Sequence, residues 1–365
     1  MRYRINRKTG DRISEIGIGT AYIYEAGTDE AVKALRRAYE GGINYFDLAA
    51  GHGDAFPIFG EAFEDIRENI FYQIHFGADY SSGDYGWSLN LDTVKKSVAK
   101  MLKELRTDYI DYGFIHCQDE IADWETYLKN GIYDYILKLK EEGIVKHIGL
   151  SSHTPKVINR ILDEADIDML MFSINPGYDF GEGEYAYGQT DERSAIYRRC
   201  EKEGIGISVM KPFSGGQLLD ASVSPFGTAL TIYQCLKYAL DKPGVLVALP
   251  GASNTAEVEA LLAYDTIPEE ELDYSVISSF EPVRLSGKCV YCNHCKPCPV
   301  GIDIGLVNKY YDLALAGDDM AAEHYKKLDL NASDCISCGH CDSRCPFSVH
   351  QSARMQEIRE YMDNT

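Results

Sequence analysis

Tyr109-Ile-Asp-Tyr-Gly-Phe-Ile-His116 is a short run, mostly apolar and closed by a polar residue, which reads as a strand buried on both faces. Seven further runs of the same kind flank it, at Ile16–Thr20, Asn44–Leu48, Ile70–Phe76, His147–Ser151, Met169–Ile174, Gly206–Met210 and Val245–Pro250. The stretches between them are amphipathic and long enough for helices. In the first, Thr28 is the expected N-cap, Ala31, Ala34, Leu35 and Ala38 make an apolar stripe, and Gly41-Gly42 stops it. Eight alternating units in about 260 residues predict a (β/α)8 TIM barrel, an α/β fold whose functional groups stand at the C-terminal strand ends. A doubly wound sheet is the competing architecture, but no G-x-G-x-x-G follows the first strand.

Outside the barrel, the last quarter is decided by cysteines. Of eleven, Cys117, Cys200 and Cys235 are scattered, and the other eight fall in two runs. These are Cys289-Val-Tyr-Cys292-Asn-His-Cys295-Lys-Pro-Cys298-Pro299 and Cys335-Ile-Ser-Cys338-Gly-His-Cys341-Asp-Ser-Arg-Cys345-Pro346. Three cysteines two residues apart wrap three corners of a cubane, and in two-cluster ferredoxins the fourth, before proline, ligates the other cluster. That rule assigns Cys289, Cys292, Cys295 and Cys345 to one [4Fe-4S] cluster and Cys298, Cys335, Cys338 and Cys341 to a second. A zinc ribbon is the competing reading of paired CxxC units. The boundary falls in the acidic, proline-marked stretch near Asp265–Glu281, giving a barrel over 1–275 and a small α-helical ferredoxin-like dicluster domain over 276–365. Residues Ile302–Leu330 read as one or two helices between the runs, and Gln351–Met362 as a final helix.

A formal charge of -21 sets nucleic acid aside, since binding a phosphate backbone rests on clustered cations. No apolar run is long enough for a membrane span, and the N-terminus has no signal-peptide core, so a cytoplasmic protein is expected.

The strand ends resemble the aldo/keto reductases. The resemblance is carried by Ser14-Glu-Ile-Gly-Ile-Gly-Thr20, Gly41-Gly-Ile-Asn-Tyr-Phe-Asp47, Gly60-Glu-Ala, Tyr109–His116, Ile148-Gly-Leu-Ser-Ser-His153, Lys211-Pro-Phe-Ser-Gly-Gly216 and Leu249-Pro-Gly-Ala252. With the cysteine tail, it points to the branch of that family that bears a C-terminal ferredoxin-like module. The family moves hydride between NADPH and a carbonyl with an Asp, Tyr, Lys and His, the Tyr giving the proton. By this resemblance Asp47 and His116 keep their places, while His52 occupies the tyrosine position and His75 the lysine position. Imidazoles titrate near neutral pH, so His52 or His116 is a candidate proton donor. Three histidines beside a carboxylate also raise an additional mononuclear metal at this cluster, or simple filling of a remodelled pocket.

The resemblance puts any nicotinamide against Ser151, Ser152, Lys211, Gly251 and Ser253, with Met171 where the family has a Gln. No cation is offered to a 2′-phosphate, so NAD(H) is favoured over NADP(H) if either binds. Tyr80, Tyr85, Trp87, Trp124, Tyr127, Tyr178, Phe180, Tyr185 and Tyr187 are expected around the mouth or against the cluster module, and Asp179–Glu184 in a solvated loop. His147 and His153 read as ordinary strand-end residues. Two functions follow. One is an oxidoreductase that couples the clusters to redox chemistry of a small carbonyl, sugar or aromatic substrate, with a ferredoxin or flavodoxin-like carrier as partner. The other is an inactive barrel that docks an electron-transfer module.

Overall fold

A computed structural model describes residues 1–365 apart from 21, 184, 280–286, 288, 290, 292, 294, 316–318, 346 and 365. The chain divides into two compact units. One comprises Met1–Ile174, Gly204–Pro212 and Val245–Ile267, and the other Asn175–Glu203, Phe213–Gly244 and Pro268–Thr365.

Among the described residues, the first unit holds every strand. A hairpin of β1 (Tyr3–Ile5) and β2 (Arg12–Ser14) precedes β3 (Ile18–Gly19), β4 (Tyr45–Asp47) and β5 (Phe71–Phe76). The two-residue strands β6 (Ala78–Asp79) and β7 (Gly86–Trp87) come next. After them run β8 (Ile110–Ile115), β9 (Val145–Ser151), β10 (Met169–Ser173), β11 (Gly206–Met210) and β12 (Val245–Ala248). Strands β3, β4, β5, β8, β9, β10, β11 and β12 pair in that order, all parallel. Parallel bridges from Ile16 to Ala248 and from Gly19 to Gly251 close the ring. All eight expected strands are present. Their side chains fill the lumen, where Tyr45, Tyr112, Phe114, Met169 and Met210 pack with Leu246, so the barrel has a solid core and no pore.

The first crossover helix, Thr28–Glu40, buries the expected stripe of Ala31, Ala34, Leu35 and Ala38. Its N-cap is Gly27 and not Thr28, because the chain enters at φ 80°, a left-handed angle that glycine adopts without strain. Two features had no signal in the sequence. The β1–β2 hairpin places Ile13 in the lumen cluster, and Asn6 Nδ2 bonds the Asp168 carbonyl at 3.1 Å. The β6–β7 ribbon is tied down by Gly53 N to Gly83 O at 2.7 Å and Tyr85 N to Gly51 O at 3.0 Å. Gly83, at φ 98°, permits the turn, and a Cβ there would stand 2.8 Å from His52 Nε2.

The second unit is helical. Helices Ile304–Leu315 and Gln351–Asp363 share a core of Val307, Leu313, Met355 and Ile358. The stretch expected to hold one or two helices holds two, Ile304–Leu315 and Asp319–Lys326. Tyr274 OH and Lys309 Nζ bond Asp241, at Oδ2 (3.0 Å) and O (3.0 Å), and Phe180 stacks on Phe347 with ring centroids 5.8 Å apart. The acidic stretch after β10 is not uniformly solvated. Asp179 is buried, bonded to Arg193 Nε at 2.9 Å, Tyr197 OH at 2.5 Å and Tyr238 OH at 2.8 Å. A buried carboxylate needs such partners, and Arg193, itself 1% exposed, supplies the countercharge. Glu184 lies outside the described residues. Among the described residues no helix is long and apolar enough to cross a membrane.

Removing the cation strands this buried anion. Arg193→Met is expected to destabilise the protein by about 3–5 kcal/mol, read as a lowered denaturant midpoint. Glu203→Gln, which loses only a surface pair with Arg199, is expected to change it by less than about 1 kcal/mol.

Candidate active site

At the C-terminal strand ends of the barrel, β4, β5, β8 and the β6–β7 ribbon bring four titratable side chains into one line. Asp47 Oδ1 lies 2.7 Å from His75 Nε2. His75 Nδ1 lies 2.9 Å from His116 Nδ1, and His116 Nε2 lies 2.7 Å from Tyr85 OH. Asp47, His75 and His116 are buried, and Tyr85 is 43% exposed, so the line runs from the lumen to solvent. Gln73 Nε2 gives Asp47 Oδ1 a second hydrogen bond at 3.0 Å. Its own Oε1 accepts from Tyr45 OH at 2.8 Å and Ser208 Oγ at 3.0 Å, which fixes the amide's orientation.

The proton positions follow from acceptor capacity. A carboxylate at Asp47 accepts from His75 Nε2–H, and the tautomer that fits this bond presents a lone pair at Nδ1. His116 then donates from Nδ1 and accepts at Nε2 from the Tyr85 hydroxyl. Burial, and then the neighbouring His75, push the His116 imidazole well below its ordinary pKa, which keeps it neutral.

His52 is not in this line. Its Nδ1 accepts from Asp54 N at 3.1 Å, and its ring lies 5.5 Å from that of Tyr24. Of the four residues proposed from the sequence, three converge and His52 turns away. The three histidines therefore do not gather around a common point, and both nitrogens of His75 are spent on Asp47 and His116. Tyr85 had counted only as a mouth aromatic. Nothing in its local sequence separates it from Tyr80, whose buried hydroxyl bonds the Ala50 carbonyl at 3.1 Å. Trp124 and Tyr127 are not at the mouth. Both are buried, with Nε1 bonded to Glu164 and the hydroxyl to the Phe76 carbonyl, respectively.

A second group stands at the ends of β8, β9 and β11. Asp119 Oδ2 lies 2.9 Å from His153 Nδ1 and 3.6 Å from Cys117 Sγ, and Lys211 Nζ lies 3.1 Å from His153 Nε2. His153 is thus no ordinary strand end. Burial, then Asp119, push the Cys117 thiol up to about 12. Asp119 is held below its ordinary range because bonds from His153 outweigh burial.

This grouping engages Ser152 and Lys211, two of the five residues expected to hold a nicotinamide. Ser152 Oγ is 3.3 Å from Asp119 Oδ1, Lys211 faces His153, and the Ser151 carbonyl accepts from Gln118 N. Gly251 helps close the barrel. Ser253 N donates to Glu257 Oε2 at 2.7 Å, and Thr255 N donates to Glu30 Oε1 at 2.9 Å. Two carboxylates thus occupy the N-terminus of helix Thr255–Leu262, where a phosphate would otherwise find free N–H groups. The Thr255 N–H holds the Glu30 carboxyl below its ordinary pKa.

The cysteine tail fits iron–sulfur ligation. Cys298, Cys335, Cys338 and Cys341 line one small cavity with the apolar Val300, Ile302, Ile304 and Met355. Ser337, at φ 51°, turns its N–H onto Cys335 Sγ at 3.4 Å, the kind of contact that stabilises a ligating thiolate. In the other expected set Cys295 is buried, Cys289 and Cys345 are half-buried, and Cys292 lies outside the described residues.

A family model described as the aldo/keto reductase family matches residues 15–228, and one described as a 4Fe-4S dicluster domain matches 286–349. An uncharacterized oxidoreductase, YqkF of Bacillus subtilis, is 30% identical over 172 residues, 45% of this chain and 53% of that protein. The chain thus spans about half the length of this relative. L-galactose dehydrogenase of Arabidopsis thaliana is 22% identical over 313 residues, 75% of this chain and 92% of that protein. The holo form of the aldo-keto reductase AKR11C1 from Bacillus halodurans has the same fold. It superposes with a TM-score of 0.60 at 21% identity, over 76% of this chain and 95% of that one.

The carboxylates at the helix N-terminus predict a cofactor preference. NADH should bind more tightly than NADPH in a fluorescence titration, and the double variant Glu30→Gln, Glu257→Gln should improve NADPH relative to NADH by about tenfold. An unchanged ratio would show that these carboxylates do not set it.

Proposed function

This chain belongs to the aldo/keto reductase family, and from that premise we propose that it is an iron–sulfur dehydrogenase. Its barrel oxidises a hydroxyl of a small sugar-like alcohol, with Tyr85, His116, His75 and Asp47 taking up the proton. The observation that carries this reading is the unbroken hydrogen-bonded line from an exposed phenol to a buried carboxylate. In the family pattern a tyrosine exchanges the proton, and here His52 holds that position. A phenol is instead offered from the β6–β7 ribbon, where Tyr85 OH reaches His116 Nε2 at 2.7 Å.

The resting proton arrangement favours uptake. When Tyr85 oxygen takes the substrate's hydroxyl proton, its own passes to His116 Nε2. The His116 Nδ1 proton passes to His75 Nδ1, and the His75 Nε2 proton to Asp47. One O–H or N–H bond forms and one breaks at each link, and the net result is one proton on the buried carboxylate. The substrate carbon gives up its hydrogen with two electrons. A bound nicotinamide would supply an acceptor for that pair as hydride, and [4Fe-4S] clusters would supply one-electron transfer. Cys289, Cys292, Cys295 and Cys345 would hold one cluster and Cys298, Cys335, Cys338 and Cys341 the other. We assign the catalytic barrel to 1–275, the cluster-bearing part to 276–365, and the external partner to a ferredoxin- or flavodoxin-type carrier. The sugar class is supported by the L-galactose dehydrogenase likeness and by the exposed rings of Tyr85 and Trp87, flat faces suited to a pyranose.

The test is an anaerobic assay of the cluster-loaded protein against a panel of aldoses with NAD+, NADP+ or an oxidised ferredoxin, following cluster absorbance and EPR. Tyr85→Phe is expected to lower kcat by about 10²–10⁴-fold with little change in KM, and His52→Gln to change kcat by less than about threefold. Equal losses in both variants would refute the relay. Clusters that respond to dithionite alone, with no sugar turned over, would favour the inactive docking body instead.

A further inference from the structure

Cys117, Asp119 and His153 each offer one ligand atom, and these atoms all lie within 4.8 Å of one another. Among the described residues this is the group of His, Cys, Asp and Glu side chains with metal-binding spacing. Neither the family pattern nor the iron–sulfur reading uses it.

We infer that the ends of β8 and β9 form a mononuclear zinc site with Cys117 Sγ, Asp119 Oδ2 and His153 Nδ1 as ligands. Around a tetrahedral zinc, with Zn–S near 2.3 Å and Zn–N or Zn–O near 2.0 Å, ligand atoms stand about 3.3–3.6 Å apart. The separations from Asp119 Oδ2, 3.6 Å to sulfur and 2.9 Å to nitrogen, are within a small adjustment of that. A thiolate and a carboxylate together balance a divalent charge, and the sulfur, nitrogen and oxygen set suits zinc better than magnesium or calcium.

The ligands are also held in place. Asp119 Oδ1 accepts from His153 N at 2.6 Å and from Ser152 Oγ, which leaves Oδ2 facing the other two ligand atoms. Lys211 Nζ donates to His153 Nε2 at 3.1 Å, which places the ring proton on Nδ1 facing Asp119; a metal at Nδ1 displaces that proton to Nε2 and turns Lys211 away. Cys117 sits at φ 49° and Lys211 at φ 54°, left-handed angles that cost a side-chain-bearing residue energy and concentrate where function needs them. Between the two β8 ligands, Gln118 is fully buried, and its Oε1 has no hydrogen-bond partner among the described residues. Three protein ligands leave a fourth position for water or a substrate oxygen, the pattern of a catalytic rather than a structural zinc.

The experiment uses the full chain with its clusters assembled anaerobically. It is exposed to zinc, cleared with a weak chelator, and measured for zinc and iron by plasma mass spectrometry and for zinc ligands by X-ray absorption at the zinc edge. The expected result is about one zinc per chain with a single sulfur near 2.3 Å. Cys117→Ser, which keeps the side chain's shape, should remove the sulfur shell. Asp119→Asn and His153→Gln should lower zinc retention by about tenfold or more, with iron content unchanged as proof that fold and clusters survive. Absence of retained zinc in the unmodified protein overturns the inference. So does zinc in a sulfur-rich shell that Cys117→Ser leaves untouched, since that zinc sits in the cysteine runs.

Discussion

A parallel barrel closes only if its first and last strands can meet, and here that depends on hydrogen atoms where other residues have side chains. A Cβ at Gly17 would stand 2.7 Å from both Leu249 Cδ2 and the Tyr45 carbonyl, and one at Gly19 would stand 3.1 Å from the Leu249 carbonyl. With both positions bare, Gly17 N reaches Ala248 O and Gly19 N reaches Pro250 O, each at 2.9 Å. Ring closure then holds the strand ends at fixed separations. Side chains from β4, β5 and β8 can therefore meet to within hydrogen-bond distance without help from flexible loops.

The buried carboxylate of Asp47 converts that rigidity into chemistry. A carboxylate buried beside the lumen core needs hydrogen-bond partners. His75 and Gln73 supply the missing hydrogen bonds, and Tyr45 and Ser208 orient Gln73. A lysine in place of His75 would satisfy Asp47 equally well but would end the line in a point charge. An imidazole has a second nitrogen on its far side, and this lets the line continue through His116 to Tyr85.

The sequence made the strands legible because each is a short apolar run bounded by polar or turn residues, and burial on both faces leaves such runs few alternatives. The cysteine runs were legible for a different reason, since metal ligation imposes a local spacing. Asp47, His52, His75 and His116 came from the likeness of the strand ends to the aldo/keto reductases, and the structure brings Asp47, His75 and His116 together while His52 turns away. Tyr85 could not be read in this way, because its role depends on a ribbon of two-residue strands pinned by backbone bonds to Gly51 and Gly53, and those bonds carry no side-chain signature. Asp179 was misread for a related reason. Its partners Arg193, Tyr197 and Tyr238 are distant in sequence, and an acidic stretch in isolation looks solvated. The Cys117, Asp119 and His153 group joins two strand ends and likewise has no linear motif.

The helical unit is stitched from three separate stretches, and this has a consequence for how the chain is made. A ribosome finishes the eighth barrel strand at Ala248 before any of the tail helices from Ile304 onward exists. Helices Thr190–Glu203 and Ile232–Leu240 emerge early, yet they share a compact unit with residues translated a hundred positions later. Packing between these helices and the tail can form only once residues 268 onward have been made. The compact unit that holds the cysteine tail therefore also contains helices Thr190–Glu203 and Ile232–Leu240, which are translated between barrel strands.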